Sequence, residues 1–174
     1  QALEATGQFE DAIAAYDRAL ALLGTAGEAE SRRLLGVVWM NRGNALQKFA
    51  IPSALEDSVG AYDAAIRVFE ALPWETEPAI RNHLGAAWLN RGHALGIKGD
   101  NPAAAASFQQ AVSHLASLPL ETDPWFRLNL AGACTNLAYA RLADTSLASR
   151  EDSRAAARQA LDAVQAVAGE HEAF

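Results

Sequence analysis

Two stretches of this chain nearly duplicate each other, and this repetition limits the folds that the sequence can adopt. Residues 39–51 read WMNRGNALQKFAI, and residues 88–100 read WLNRGHALGIKGD. The tryptophans that begin them, Trp39 and Trp88, are 49 residues apart. A fainter third copy, ACTNLAYA, occupies residues 133–140. Self-similarity at a nearly fixed period is typical of repeat architectures, in which one supersecondary unit recurs along the chain.

A second family of similar segments alternates with the first. It comprises AAYDRAL at 14–20, GAYDAAI at 60–66, ASFQQAV at 106–112 and AAARQAL at 155–161. Both families place apolar and small residues three and four positions apart, which is the periodicity of a helix and not of a strand. Two kinds of helix therefore alternate. We call them first helices, which carry the duplicated tryptophan motif or its third copy, and second helices, which carry the other family.

The composition agrees with a helical chain. Half of the residues are hydrophobic but only 7% are aromatic, and much of the apolar fraction is alanine, the strongest helix former. We predict an all-α fold of about seven helices, near residues 8–23, 29–49, 54–72, 77–98, 102–117, 123–143 and 150–168.

The motifs resemble a known repeat. Residues 88–112, WLNRGHALGIKGDNPAAAASFQQAV, are similar to a tetratricopeptide repeat: a large residue, glycine four positions on, a Gly-Asp turn, and a second helix with alanine and an aromatic residue. GQFEDAIAAYDRAL at 7–20 is similar to the turn and second helix of such a repeat, so residues 1–6 are expected to end a first helix. The resemblance implies an α-solenoid, in which antiparallel helix pairs stack into a right-handed superhelix.

The repeats are longer than is usual for this family. The tetratricopeptide period is about 34 residues, whereas the spacing here is 46 to 49 residues. We expect one repeat domain over residues 1–174. It divides into a partial repeat at 1–28, repeats at 29–76 and 77–122, and a degenerate repeat at 123–174.

Glycine recurs in the middle of the first helices, at Gly43 and Gly92. Glycine inside a helix costs about 1 kcal/mol relative to alanine, so its repetition predicts that a neighbouring helix comes close there. Cys134 takes the place of the tryptophans in the third copy, which is a core position where a thiol is usually inert.

Charge and cysteine content exclude several classes of protein. The formal charge of −7 argues against a general nucleic-acid binder, which needs clustered basic residues. One cysteine cannot form an internal disulfide, so we expect a cytoplasmic protein by default. No apolar run approaches the roughly 20 residues that a membrane helix needs. We expect the chain to begin inside a repeat and therefore make no prediction about targeting signals.

No catalytic motif stands out. His83, His93, His114 and His171 lack the spacing of metal ligands, and neither HExxH, CxxC nor a glycine-rich phosphate loop occurs. We therefore predict no enzymatic activity, no metal and no cofactor. The rival interpretation is an enzyme or small-molecule sensor that uses His93 and Tyr139.

The resemblance implies a function in binding. In tetratricopeptide proteins the first helices line a concave groove that binds peptide segments of a partner, so we expect a non-catalytic protein-protein interaction scaffold. Carried over to this sequence, the peptide-binding groove comprises Arg33, Met40, Asn41, Asn44, Lys48, Leu89, Asn90, His93, Asn136 and Tyr139.

Asn41, Asn90 and Asn136 occupy matching positions and form a row of amides. An amide both donates and accepts hydrogen bonds, so such a row can hold a partner's main chain while Leu89 and Tyr139 supply apolar pockets. The other interpretation is that these asparagines bond a neighbouring helix and stabilise the stack. Both roles can hold together.

The first helices are basic although the chain is acidic. Between residues 31–48, 78–98 and 124–141 there are nine basic residues and no acidic one. A basic groove favours an acidic segment of the partner. Alternatively, arginines on the packing side pair with acids of the second helices such as Asp63 or Glu70.

Two further hypotheses concern surfaces outside the groove. The junctions LPWETEP at 72–78 and LPLETDP at 118–124 place Trp74 and Trp125 where they either cover the adjacent helix ends or anchor an interface. The incomplete first repeat and the alanine-rich helix near 150–168 also favour self-association through the open ends of the stack. The alternative function is therefore a structural repeat module that forms homo-oligomers.

Overall fold

The protein is all-helical in the computed structural model, and the described residues contain no strand. The model describes residues 2–24, 28–49, 51–142, 151, 154–155, 157–159 and 161–162. Six helices have defined bounds: α1 (Ala2–Leu23), α2 (Ala29–Gln47), α3 (Pro52–Glu70), α4 (Pro78–Lys98), α5 (Asn101–Leu115) and α6 (Pro124–Leu142). The described positions from 151 to 162 are helical too, in agreement with the seven helices expected.

Helix boundaries follow the breakers in the sequence. Proline stands in the first turn of α3, α4 and α5, where its missing N–H costs no hydrogen bond. Between α4 and α5 the chain turns at Gly99, whose φ of 84° lies in the left-handed region that favours glycine. The Asp100 side chain then accepts a hydrogen bond of 3.1 Å from the N–H of Ala103 and caps α5. The Gly-Asp turn is thus confirmed.

The beginning of α1 differs from the expectation. Residues 1–6 were expected to end one helix, with the next beginning near residue 8. Instead α1 runs without a break from Ala2 to Leu23, through Gly7. The segment ALEAT before this glycine consists mainly of helix formers, and no proline follows it. A single glycine costs only about 1 kcal/mol against alanine, which a continuous helix can absorb.

The six helices pack in sequence order, and the first helices also contact each other. Each helix contacts the next one along the chain. In addition α2 contacts α4, and α4 contacts α6, whereas α1 does not contact α3 and α3 does not contact α5. The first helices α2, α4 and α6 therefore lie side by side, while the second helices α1, α3 and α5 stand apart from one another.

Glycines on the first helices make room for large side chains of the second helices. A Cβ on Gly43 would stand 2.6 Å from the Cε1 atom of Tyr62, and one on Gly92 would stand 2.5 Å from the Cε1 atom of Phe108. Real Cβ atoms essentially never approach that closely. Alanine at position 43 would therefore push α2 away from α3, and alanine at position 92 would push α4 away from α5. The close approach predicted from the recurring glycines is confirmed.

A second pair of glycines, seven residues earlier on the same two helices, makes room in the same way. A Cβ on Gly36 would stand 2.6 Å from the ring of Phe69, and one on Gly85 would stand 2.6 Å from Leu115. Helices α2 and α4 thus each present two glycines on the side that meets the following second helix. This second pair was not predicted from the sequence.

Two hydrophobic clusters of the described core are connected by one partly buried residue, Trp88. One lies among α4, α5 and α6 and includes Cys134, which is completely buried as expected. The other lies among α2, α3 and α4 and includes Phe69 and Leu84. Trp88 packs against both clusters, so the core continues from one helix pair to the next. Within the described residues, no helix is both long and apolar enough to cross a membrane.

Candidate functional site

Polar side chains connect the three first helices where these lie side by side. We call this set the amide row. Its members are Asn44 on α2, Asn82, Asn90 and His93 on α4, and Asn129 and Asn136 on α6. They form three contacts that cross from one first helix to the next.

The first contact joins α2 to α4. Asn90 Nδ2 donates to Asn44 Oδ1 at 3.2 Å, and the Tyr62 hydroxyl donates to the same oxygen at 2.8 Å. Burial raises the pKa of Tyr62 to about 12, so its hydroxyl stays protonated and can donate at any physiological pH. The side chain of Asn44 is thereby held from two helices at once.

The second contact is its counterpart between α4 and α6. Asn136 Nδ2 lies 2.8 Å from His93 Nε2, and it also donates to the carbonyl oxygen of Gly132 at 2.8 Å. His93 stands at the repeat position of Asn44 and packs edge-on against Phe108, with 5.5 Å between the ring centroids. Burial lowers the pKa of His93, so its ring is neutral at pH 7 and Nε2 can accept from the amide.

The third contact lies nearer the beginning of the same helices. Asn129 Nδ2 donates to Asn82 Oδ1 at 2.9 Å, again from α6 to α4. Asn41 was expected from the sequence to stand in line with Asn90 and Asn136. It is half-buried and makes no side-chain hydrogen bond to another described residue. The asparagines of α4 and α6 therefore bond a neighbouring helix, while the amide of Asn41 keeps its full capacity.

The other expected groove residues differ in exposure. Leu89 is 8% exposed and belongs to the core among α4, α5 and α6, so it presents little surface to a ligand. Met40 is half-buried and packs against the cluster of α2, α3 and α4. Tyr139 is 70% exposed, and Lys48 is exposed just after α2. Only the exposed side chains of this set are accessible without rearrangement.

A pocket of about 400 Å³ opens beside the amide row, between the C-terminal halves of α4 and α6 and the start of α5. Phe108 and His93 contribute aromatic surface to it, and Ile97 and Tyr139 are its exposed apolar residues. Asn136 adds a polar edge. An apolar pocket with one polar edge suits a single hydrophobic side chain next to a main-chain amide.

Most basic residues of the first helices are engaged. Arg33 Nε donates to Glu30 Oε2 at 3.0 Å, one helical turn earlier. Lys98 lies 3.3 Å from Glu56. The groove side of these helices therefore carries less free positive charge than the sequence suggests, and Lys48 is its exposed cation.

The predicted pairing with second-helix acids occurs twice, at equivalent positions. Arg42 Nε lies 2.7 Å from Asp17 Oδ1, and Arg91 Nε lies 2.7 Å from Asp63 Oδ1. Each guanidinium also lies over the tryptophan three residues before it on the same helix. These ion pairs connect α2 to α1 and α4 to α3.

Two other arginines have a role that was not predicted from the sequence. Arg81 Nε donates to the carbonyl oxygen of Trp74 at 3.1 Å, and Arg127 Nη1 donates to that of Leu120 at 2.7 Å. In both cases the acceptor lies seven residues before the arginine, in the LPxET junction. Main-chain acceptors leave no signature in a sequence, so a search for acidic partners could not find these contacts.

The described residues contain no cluster of three or more His, Cys, Asp and Glu side chains that could hold a metal ion. Burial raises the pKa of Cys134 to about 11, so its thiol stays protonated at neutral pH and is a poor nucleophile.

Comparisons with known proteins do not assign a family. A scan of the sequence against protein-family models finds no match. A search of curated proteins finds no significant relative.

Proposed function

We propose that this chain is a tetratricopeptide-like α-solenoid that acts as a non-catalytic scaffold and binds a peptide segment of a partner protein on the face of α2, α4 and α6. The observation that carries the proposal is the asymmetry of helix contacts. First helices touch one another and second helices do not, so the stack curves toward the first helices. That curvature makes their common face the concave one, where an extended segment meets all three helices.

The amide row has hydrogen-bonding capacity left for such a segment. Asn90 and Asn136 use their amino groups in the contacts between helices, and their Oδ1 atoms accept from no other described residue. Asn41 lies on α2 outside the amide row and keeps both donor and acceptor. A partner's main-chain N–H groups can therefore be held by amides that also stabilise the stack, which reconciles the two interpretations of the row.

The pocket beside the row gives the segment a place for an apolar side chain. Ile97 and Tyr139 are 55% and 70% exposed and line the same pocket, so together they offer apolar surface at one place. Lys48, at the end of α2 and at the repeat position of Ile97, offers a contact to an acidic group of the partner. The proposed ligand is thus an extended segment with one apolar anchor and an acidic residue apart from it.

Capture of partners by surface variants tests the proposal. Truncating the pocket in an Ile97→Ala/Tyr139→Ala double variant removes apolar contact area and should reduce capture of the specific partner about tenfold or more. Ile51→Ala is the matched control, because Ile51 has a similar exposure of 52% but lies at the start of α3. Quantitative mass spectrometry of proteins retained on the immobilised chain provides the measurement. Equal recovery by the double variant, with an unchanged circular dichroism spectrum, contradicts the proposal.

Self-association is the second candidate, and exposed apolar residues on α6 favour it. Trp125 and Leu128 are 67% and 47% exposed and stand one helical turn apart. Trp125 therefore does not cover the adjacent helix end, and it offers an anchor for a second copy of the chain. Light scattering over a dilution series separates the candidates, since a protein that stays monomeric at all concentrations eliminates the homo-oligomer.

A further inference from the structure

A second pocket lies on the opposite side of α2, away from the amide row. It has a volume of about 560 Å³, is open to the surface, and is lined by the end of α1, the first half of α2 and the second half of α3. Leu35, Trp39 and Val68 contribute apolar surface, and Arg32 and Arg67 line it as well. It occupies the gap between two second helices that do not contact each other.

The corresponding gap one repeat later is filled by the chain itself. Arg81, which stands 49 residues after Arg32, lies over the ring of Trp74 at 5.4 Å from its centroid. The same ring meets His114 of α5 edge-on at 5.1 Å. Arg81 also donates to the carbonyl oxygens of Trp74 and Glu75, at 3.1 and 2.6 Å. An aromatic ring and two main-chain oxygens thus fill the space beneath this arginine.

The corresponding junction of the first repeat contains no aromatic residue. The junction between α1 and α2 spans only residues 24–28 and reads GTAGE, whereas the junction between α3 and α4 spans 71–77 and contains Trp74. Neither Arg32 nor Arg67 makes a side-chain hydrogen bond or ion pair with any residue that the structure describes. The first repeat therefore has an arginine that corresponds to Arg81, but its junction has no aromatic residue that corresponds to Trp74.

We propose that this pocket binds a peptide segment of a partner protein in which an aromatic residue is followed by an acidic one. The aromatic side chain takes the place that Trp74 holds in the next repeat, beside Trp39 and Val68. Main-chain oxygens of the segment accept from Arg32, as those of the junction accept from Arg81. The site is separate from the face of the first helices and does not depend on it.

Arg67 selects the acidic residue. Its counterpart in the filled copy, 46 residues later, is the uncharged Ser113, so the pocket lined by Arg32 and Arg67 has one more cation than the filled copy. Guanidinium groups form short, paired hydrogen bonds with carboxylates, which a carbonyl oxygen alone does not provide. In a chain with a formal charge of −7, two arginines at one apolar pocket are a local positive site for an acidic segment.

The chain's own junction provides a probe. A fluorescein-labelled peptide with the sequence LPWETEP, blocked at both ends, reproduces residues 72–78. Fluorescence anisotropy should show saturable binding to the intact chain. Arg32→Gln and Arg67→Gln should each weaken it about five- to tenfold, while Arg18→Gln, an exposed arginine outside the pocket, should leave it unchanged.

Changes in the peptide test each half of the recognition. Replacing its tryptophan by alanine should abolish binding. Replacing its glutamates by glutamine should weaken binding to the wild-type chain. The same replacement should not weaken binding to the Arg67→Gln variant, because that variant lacks the guanidinium that the peptide carboxylate would bind. Equal losses in both proteins would contradict the role of Arg67. Both arginines are exposed, so unchanged circular dichroism spectra are expected for their variants.

Three results would overturn the proposal. One is the absence of saturable binding at peptide concentrations up to about 1 mM, the weak limit of specific recognition. Another is loss of peptide binding in Ile97→Ala/Tyr139→Ala, which would place the peptide on the face of the first helices. The third is binding that strengthens as the protein is diluted, which would make a second copy of the chain the occupant of the pocket. Retained binding in the double variant supports the separate site, whether or not that variant loses the partner proposed for the face of the first helices.

Discussion

Arg91 and Asp63 form an ion pair that ties one helix pair to the next, with 2.7 Å between Nε and Oδ1. The same guanidinium donates through Nη1 to the hydroxyl of Ser107 at 2.7 Å. A single side chain of α4 thus holds α3 on one side and α5 on the other. Because Ser107 is only 1% exposed, water cannot replace the hydrogen bond that its hydroxyl accepts from Arg91.

We therefore expect Arg91→Ala to lower the free energy of unfolding by about 1 to 3 kcal/mol, since the Asp63 carboxylate loses its ion pair and the buried hydroxyl keeps only its own donation to the Ala103 carbonyl oxygen. Arg33→Ala is the control, because its pair with Glu30 is exposed and spans one turn of the same helix. Such surface pairs contribute at most about 1 kcal/mol. Urea denaturation measures the free energy of unfolding of both variants. Equal losses would show that the link between the helix pairs stabilises the protein no more than an exposed surface pair does.

Gly92 tests the packing of first on second helices. Gly92→Ala places a methyl group 2.5 Å from the Phe108 ring, so we expect a loss of about 1 to 3 kcal/mol from overpacking. Gly60→Ala is the matched control, because a Cβ there meets nothing within 4 Å and lies inside α3. That change should stabilise the protein by about 0.5 to 1 kcal/mol. Two variants with the same sign would refute the steric explanation.

Stability should fall in mildly acidic solution. Burial lowers the pKa of His83, His93 and His114 below the ordinary value of 6.5. The unfolded chain therefore binds protons at a higher pH than the folded one, and the contribution of these groups is complete above pH 6.5 and lost as the pH falls toward the lowered values.

Urea titrations at about pH 7.5 and about pH 5 measure this effect, because these values bracket the titration of histidine. His93→Gln should reduce the difference between the two pH values, because one buried neutral ring is removed, and it should cost stability at the higher pH through its contact with Asn136. A midpoint for the wild-type chain that does not change with pH would argue against neutral, buried histidines.

Cys134 should resist modification while the chain is folded. The side chain is completely buried, and its pKa of about 11 leaves less than about one thiol in a thousand ionised at pH 7.5. Ellman's reagent should react slowly with the native protein and at once in denaturant. Rapid reaction of the native protein, at a rate independent of added urea, would mean that α6, which carries Cys134, opens readily.

Sequence periodicity was enough to predict the alternation of helices, the glycine contacts at Gly43 and Gly92, and the buried thiol, because each depends on local pattern. The course of α1 was predicted wrongly, since the family pattern at Gly7 was given more weight than the helix formers before it. Contacts such as that of Arg81 with the junction involve main-chain oxygens brought near by the turn. Sequence letters do not encode those oxygens.

Bonding of the asparagines to a neighbouring helix was one of the two interpretations that the sequence left open. Asn90 and Asn136 contact side chains of neighbouring first helices, but the identity of their partners, Asn44 and His93, depends on how closely α4 approaches α2 and α6. Leu89 was expected to face a ligand and is instead part of the core, because it lies where α4 meets α6.

Trp88 belongs to the hydrophobic clusters on both sides of α4. A repeat excised at its sequence boundaries would remove the contacts of this indole with one of the two clusters, so we expect the smallest cooperative block to be larger than one period of the sequence. We expect the described helices to melt in a single transition instead of peeling off pair by pair. A shortened derivative that keeps α4 but lacks α5 and α6 would have to shield the indole by other means.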